Sequence, residues 1–157
     1  MATTRRAVVQ PNAGLYASAR TKKVFGPNAI ISGITTPGTL TVLNTDVTGA
    51  GNAVVAFRVP AGFIATGINM TVPDLDTGTT LTISVGDSGS AGRLVSASTV
   101  GQAGGSVTSL AGTGSYYLFT ADTDILVTFP VASTAIPASA TSANITNFFL
   151  EGFVGWP

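Results

Sequence analysis

The most reactive-looking stretch of the chain is Gly86-Asp87-Ser88-Gly89-Ser90, a Gly-Asp-Ser-Gly run of the kind that frames a serine nucleophile in one class of proteases. A serine hydroxyl must hand its proton to a positioned base, and the 157 residues include no His to receive it. A serine–lysine pair would need Lys22 or Lys23, both in a stretch read below as an extended arm, and an arm does not hold a base within hydrogen-bonding distance. The run is therefore expected to be a turn, with its glycines at positive φ and with Asp87 and Ser88 bonded to nearby backbone.

Acids gather at other turns, as Asp74-Leu75-Asp76 and Asp122-Thr123-Asp124. Oxygen-rich turns can hold Ca²⁺, which takes six to eight such ligands, but neither pair leads into a twelve-residue loop with a closing Glu. Aspartate is common at turns because its side chain accepts from local N–H groups, and that is the expectation here. The same residues could be assembled into a glycosidase carboxylate pair, although nothing in their spacing requires it. With Cys also absent, thiolate and imidazole metal sites are excluded, and neither a metal nor a cofactor is expected. Gly101-Gln102-Ala103-Gly104-Gly105 and Gly112-Thr113-Gly114 lack the Lys and the following helix of a phosphate cradle. Asn69-Met70-Thr71 and Asn144-Ile145-Thr146 match the glycosylation triplet but lie inside predicted strands and read as chance.

The informative charges lie elsewhere. Arg5, Arg6, Arg20, Lys22 and Lys23 place five of the seven cations before residue 24, and all seven acids follow. The first 23 residues carry +5 and the remainder, with Arg58 and Arg93, carries −5, which divides the chain into a basic arm and a mildly acidic body. The arm interleaves Val8, Val9, Leu15, Val24 and Phe25 with its charges, a pattern suited to docking on protein. Nucleic acid is not expected as a partner, because the arm has only five charges and one aromatic expected to stack, Tyr16, and the acidic body offers no continuing basic groove. The expected partner-binding residues are Arg5, Arg6, Val8, Val9, Arg20, Lys22, Lys23 and Phe25.

Residues 1–27 show no sustained period, and Pro11-Asn12-Ala13-Gly14 and Gly26-Pro27 read as turns. Arg6 to Gln10 is expected to form a strand only on a neighbour's sheet. The body, 28–157, shows a period of two. Thr39–Leu43, Asn52–Val59 (Val55, Phe57 and Val59 in phase), Phe63–Val72 (Ile64, Ile68, Met70 and Val72 in phase) and Thr79–Val85 alternate clearly, with Gly92–Ser98 weaker. Residues 99–114 read as a long loop, and Ser115–Thr120 and Asp124–Val131 as a hairpin. After a Pro- and Ser-rich loop, 132–142, Ala143–Val154 carries Phe148, Phe149, Leu150 and Phe153 on both faces, so it is expected at the centre of a sheet or against another subunit. About eight strands with Gly and Pro at the joints predict an all-β fold, a single jelly-roll-like β-sandwich with an extended N-terminal arm.

Composition adds a tendency to associate. Charged residues are 9% of the chain, against about 25% in an average soluble domain, and 24 Thr and 13 Ser supply the polarity. A surface so weakly charged favours contact with copies of itself or a partner. No stretch reaches the roughly 18 uninterrupted apolar residues that span a bilayer, and Met1–Gln10 lacks a secretory signal's apolar run. Synthesis in the cytoplasm is expected, without membrane association.

Residues 80–154, with Ile83-Ser84-Val85-Gly86-Asp87, Arg93-Leu94-Val95, Gly112-Thr113-Gly114-Ser115-Tyr116-Tyr117 and Thr120-Ala121-Asp122-Thr123-Asp124-Ile125-Leu126-Val127-Thr128, resemble the head decoration, or cement, proteins of tailed bacteriophages. The similarity covers about half the chain, and its motifs are structural. It implies a non-enzymatic virion protein on the capsid surface that binds the major capsid protein and itself, typically as a trimer, clamping adjacent capsid subunits without any small-molecule substrate. A receptor- or glycan-binding head-fibre or tail module, using loops 99–114 and 132–142, is the alternative, and a hydrolase is a distant third.

Overall fold

Runs of β-branched and aromatic residues with Gly and Pro at the joints give strands and almost no helix. The computed structural model describes residues 4–6, 23–25, 38–137 and 141–154. Its strands are β1 (Thr4–Arg6), β2 (Lys23–Phe25), β3 (Gly38–Leu43), β4 (Asn52–Val59), β5 (Phe63–Val72), β6 (Thr82–Asp87), β7 (Ser90–Ser98), β8 (Gly105–Val107), β9 (Thr123–Val131) and β10 (Ser142–Val154), with a turn of α-helix, α1 (Asn44–Val47), and a 3-10 turn, Val100–Gln102. No helix among the described residues is long and apolar enough to cross a membrane.

Two sheets form, ordered β1-β4-β9-β6-β7 and β2-β10-β5-β8, with β3 also on β10. The pairs β3·β10, β4·β9, β5·β8 and β6·β7 are antiparallel and nested in chain order, like one long hairpin folded over itself. This is the jelly-roll arrangement, which buries one face of each sheet against the other. The core lies between the layers, where the Phe57 ring of β4 meets Phe148 of β10 edge-on, with centroids 5.3 Å apart. The last strand is central as expected: β5 lines one side of β10, while β3 (against Ser142–Phe148) and β2 (against Leu150–Gly152) share the other.

Several strand expectations shift for identifiable reasons. Bulges break the period of two. In β5, Gly67 faces Glu151 but Ala65 faces Gly152, so Phe63 and Ala65 join Ile68, Met70 and Val72 in the core. Ile64 leaves the phase assigned to it and turns to the outer face, only partly buried. A bulge at Ala56 likewise puts Val54 in the main core cluster with Phe57 and Val59, while Val55, though buried, lies outside that cluster. Asn147, at φ 50°, bulges β10 so that Ile145, Phe148 and Leu150 all point inward; Asn is among the few residues at ease there.

The 115–120 hairpin with β9 does not form, because β9 is already paired on both edges by β4 and β6. The segment runs instead beside the start of β5. The Ala65 N–H donates to Tyr117 O (3.0 Å), the Phe119 N–H to Phe63 O (2.8 Å) and the Gly62 N–H to Phe119 O (2.7 Å). β8, hidden in the 99–114 connection, covers the rest of the same β5 edge through Met70–Val72.

Candidate functional site

The Gly-Asp-Ser-Gly run is the tip of the β6–β7 hairpin. Asp87 Oδ1 accepts from the N–H groups of Gly89 and Ser90, both at 2.8 Å, and Oδ2 accepts from Arg93 Nε at 2.5 Å. Neither Gly86 nor Gly89 adopts positive φ, contrary to expectation. Gly86 is needed for space, since a Cβ there would run into the Ser90 carbonyl oxygen and the Ala91 backbone. Burial would raise the Asp87 pKa, but the Arg93 hydrogen bond and the two N–H groups outweigh it and hold the carboxyl below its ordinary value. The same hydrogen bond raises the Arg93 pKa against the opposing effect of burial. A carboxylate so occupied is an anchor rather than a proton acceptor. Ser88 is exposed at the tip.

Arg93 extends the anchor. Its guanidinium lies 3.9 Å from the centroid of the Tyr117 ring, which meets Phe119 edge-on at 4.9 Å. Phe119 in turn stacks on Phe63 at 6.2 Å. An ion pair, a cation–π contact and two ring contacts thus tie the β6–β7 tip to the 115–120 segment and to β5.

The other acidic turns are also consumed locally. Asp76, 2% exposed, accepts from the Gly78 N–H and Ser133 Oγ at Oδ1 (3.0 and 2.8 Å) and from the Thr80 and Leu81 N–H groups at Oδ2 (2.9 and 2.8 Å). Burial pushes its pKa up, yet these donors, led by the Leu81 N–H, bring it down to about 2. They also hold Thr80 and Leu81 out of the ladder, so β6 starts at Thr82 instead of Thr79. Asp74 accepts from the Asp76 N–H, Asp122 from the Ala61 N–H, and Asp124 from Arg58 Nε at 2.9 Å. Among the described residues no three His, Cys, Asp or Glu side chains gather where they could hold a metal ion.

Asp76 belongs to a seam that closes one end of the sandwich. The Thr77 N–H donates to Ala135 O, the Leu75 N–H to Gly101 O, the Ser133 N–H to Val47 O, and the Ile136 N–H to Asn44 Oδ1. The β3–β4, β5–β6, β7–β8 and β9–β10 connections are joined there.

The arm residues named from the sequence divide into three groups. Arg5 and Arg6 lie in β1, which pairs in parallel with Ala53–Val55 at the free edge of β4. Lys23 and Phe25 lie in β2, opposite Gly152 and Leu150 of β10. Val8, Val9, Arg20 and Lys22 fall outside the described residues.

One surface escaped the sequence. Phe153 of β10, Ile64 of β5 and Leu118 are direct cross-strand neighbours on the outer face of the second sheet. Phe153 is 39%, Leu118 46% and the adjacent Tyr116 76% exposed. Tyr116 stands at φ 57°, a conformation that costs a non-glycine residue strain and is held by the surrounding bonds: its N–H donates to Ala65 O at 2.8 Å, and the next residue is the Tyr117 gripped by Arg93. Beside this row the face is mostly neutral and polar, with Thr41 Oγ1 donating to Asn144 Oδ1 (2.9 Å) and Asn147 Nδ2 to Thr71 Oγ1 (3.3 Å), and carries one acid, Glu151, opposite Gly67. Charge depletion with exposed aromatics is the composition of a protein-interface core. The aromatics were legible in the sequence, but their direction depends on the β5 bulge.

No family model matches the chain, and no curated protein matches it. Solved structures do. A chain from the capsid of Ralstonia phage GP4 is 25% identical, with a TM-score of 0.62, over 83% of this chain and 90% of that one. A chain of the cyanophage Pam1 capsid asymmetric unit is 28% identical, with a TM-score of 0.61, over 94% of each. The jelly roll built here is a fold that chains of two phage capsids share.

Proposed function

We propose that this protein is a structural, non-enzymatic component of a bacteriophage virion that binds the outside of the capsid and cements adjacent major capsid subunits. The observation that carries the reading is the likeness to the Pam1 capsid chain along 94% of both chains. Three features support it: a body charged at so few positions, acidic groups committed to local bonds, and an outer face with exposed apolar side chains and Glu151 as its one acid among neutral polar neighbours. The body, 28–157, presents the Phe153–Ile64–Leu118 row and Tyr116 to a capsid subunit. The arm, 1–27, reaches along neighbours, with Arg5, Arg6, Arg20, Lys22 and Lys23 steering and Val8, Val9 and Phe25 locking. Copies associate around a local symmetry axis, and many contacts on one shell convert weak single affinities into durable attachment.

The test is to mix the purified protein with bare capsids of its phage and to repeat the assay with residues 1–23 removed. Saturable decoration by the intact chain and at least tenfold weaker decoration by the folded truncation are expected. No association of the intact chain with capsids sinks the cementing reading. Binding to arrayed glycans without capsid binding would replace it with a receptor-binding module.

A further inference from the structure

We infer that the tip of the arm is exchanged between copies, so that strand Thr4–Arg6 of one molecule completes the first sheet of a second at the free edge of β4. The inference rests on the proposed reading that the arm grips neighbours, and it names one neighbour: another copy of this chain.

The acceptor is an edge. β4 ends the first sheet on the side where β1 joins it, with Thr4 opposite Ala53, Arg5 opposite Val54 and Arg6 opposite Val55. A sheet edge offers main-chain donors and acceptors to any extended segment, and the ladder is the same whichever molecule supplies it. The root of the arm is held separately, since β2 pairs with Leu150–Gly152 of β10 in the second sheet. Pairing β1 within its own chain must therefore close the whole 7–22 connection from one sheet to the other for the sake of three ladder positions. A parallel pairing always needs such a long return when it is made in cis, and closure costs entropy that an arriving strand does not spend in that way.

Charge decides which partner fits. The first 23 residues carry +5 and the rest −5, so the arm of one copy is complementary to the body of the next. The two cations of the body, Arg58 and Arg93, pair with Asp124 and Asp87, and with them counted the body still meets an arm at a net −5. Reciprocal or cyclic exchange puts every arm on an oppositely charged body and closes the assembly at zero net charge.

The chain has no Cys, so introduced thiols report the pairing cleanly. Full-length Arg6→Cys protein is mixed with full-length Val55→Cys protein, folded together and mildly oxidised. In this mixture a disulfide joining the two introduced thiols can arise only between molecules. A dimer band on non-reducing gels as the main product, mapped to that linkage and absent when either variant is oxidised alone, is expected. The Arg6→Cys/Val55→Cys double variant should then give linked oligomers. Thr4→Cys with Ala53→Cys repeats the measurement at an independent position. The inference is overturned if the double variants close only within one chain, or if neither pair links in either format. Capsid decoration by the unmodified protein separates the two claims. Decoration with in-chain links alone removes the exchange and leaves cementing, whereas intermolecular links without decoration do the reverse.

Discussion

Replacing Asp76 by Asn tests the reasoning about buried carboxylates most directly. Each Asp76 oxygen accepts two hydrogen bonds, and three of the four donors are backbone N–H groups. An amide has one oxygen, so its NH2 must face two of those donors, and since a hydroxyl can accept but an N–H cannot, at least one backbone N–H is left unsatisfied. The pKa falls from 3.8 to about 2; at about 1.4 kcal/mol per unit this corresponds to about 2.5 kcal/mol of stability near neutral pH. For a chain of this length that is a melting point lower by roughly 5–10 °C. The pH dependence has a definite sign. The folded pKa lies below the unfolded one, so the contribution is complete above the unfolded value and disappears as pH falls through about 2. Thermal and urea unfolding of wild type and Asp76→Asn, followed by circular dichroism from about pH 7 down to about pH 2.5, should show a gap that is widest near neutrality and narrows in acid. A variant melting within a degree of wild type at neutral pH, or a gap independent of pH, would refute the claim that this carboxylate holds the end of the sandwich together.

Further outcomes follow from the same geometry. Gly152→Ala should destabilise by roughly 1–3 kcal/mol in urea titrations, because a Cβ would run into the Ile64 carbonyl oxygen and the Phe63 ring. Arg93→Ala should cost roughly 2–4 kcal/mol, since it leaves the buried Asp87 without its cation and removes the platform on Tyr117; Arg93→Lys should recover only part of the melting temperature. Asn147→Val should lower stability by roughly 1–2 kcal/mol, because a β-branched residue is disfavoured at φ 50°, while Asn147→Gly should be close to neutral by the same assay. Phe153→Ser with Leu118→Ser should leave the melting temperature within a few degrees yet weaken capsid binding at least tenfold in co-sedimentation, since these side chains are exposed in the free protein.

The sequence by itself determined the class and most of the strands. Asn52–Val59 and Phe63–Val72 are where alternation and the flanking Pro and Gly residues put them, because a period of two and a turn residue are local properties. It also showed that the Gly86–Ser90 run has no imidazole to accept a serine proton, and the structure shows that the run caps a hairpin tip around Asp87. Tertiary structure alone decided the nested strand order, the rejection of a 115–120 hairpin by a β9 already paired on both edges, and the entry of Gly105–Val107 into the second sheet. It also decided the surface. Ile64 shares sequence parity with Ile68, Met70 and Val72, and only the β5 bulge, set by how that strand meets β10, turns it outward beside Phe153 and Leu118. A one-residue slip reverses every side chain beyond it, and slips are settled by pairing with strands distant in sequence, which no local pattern records.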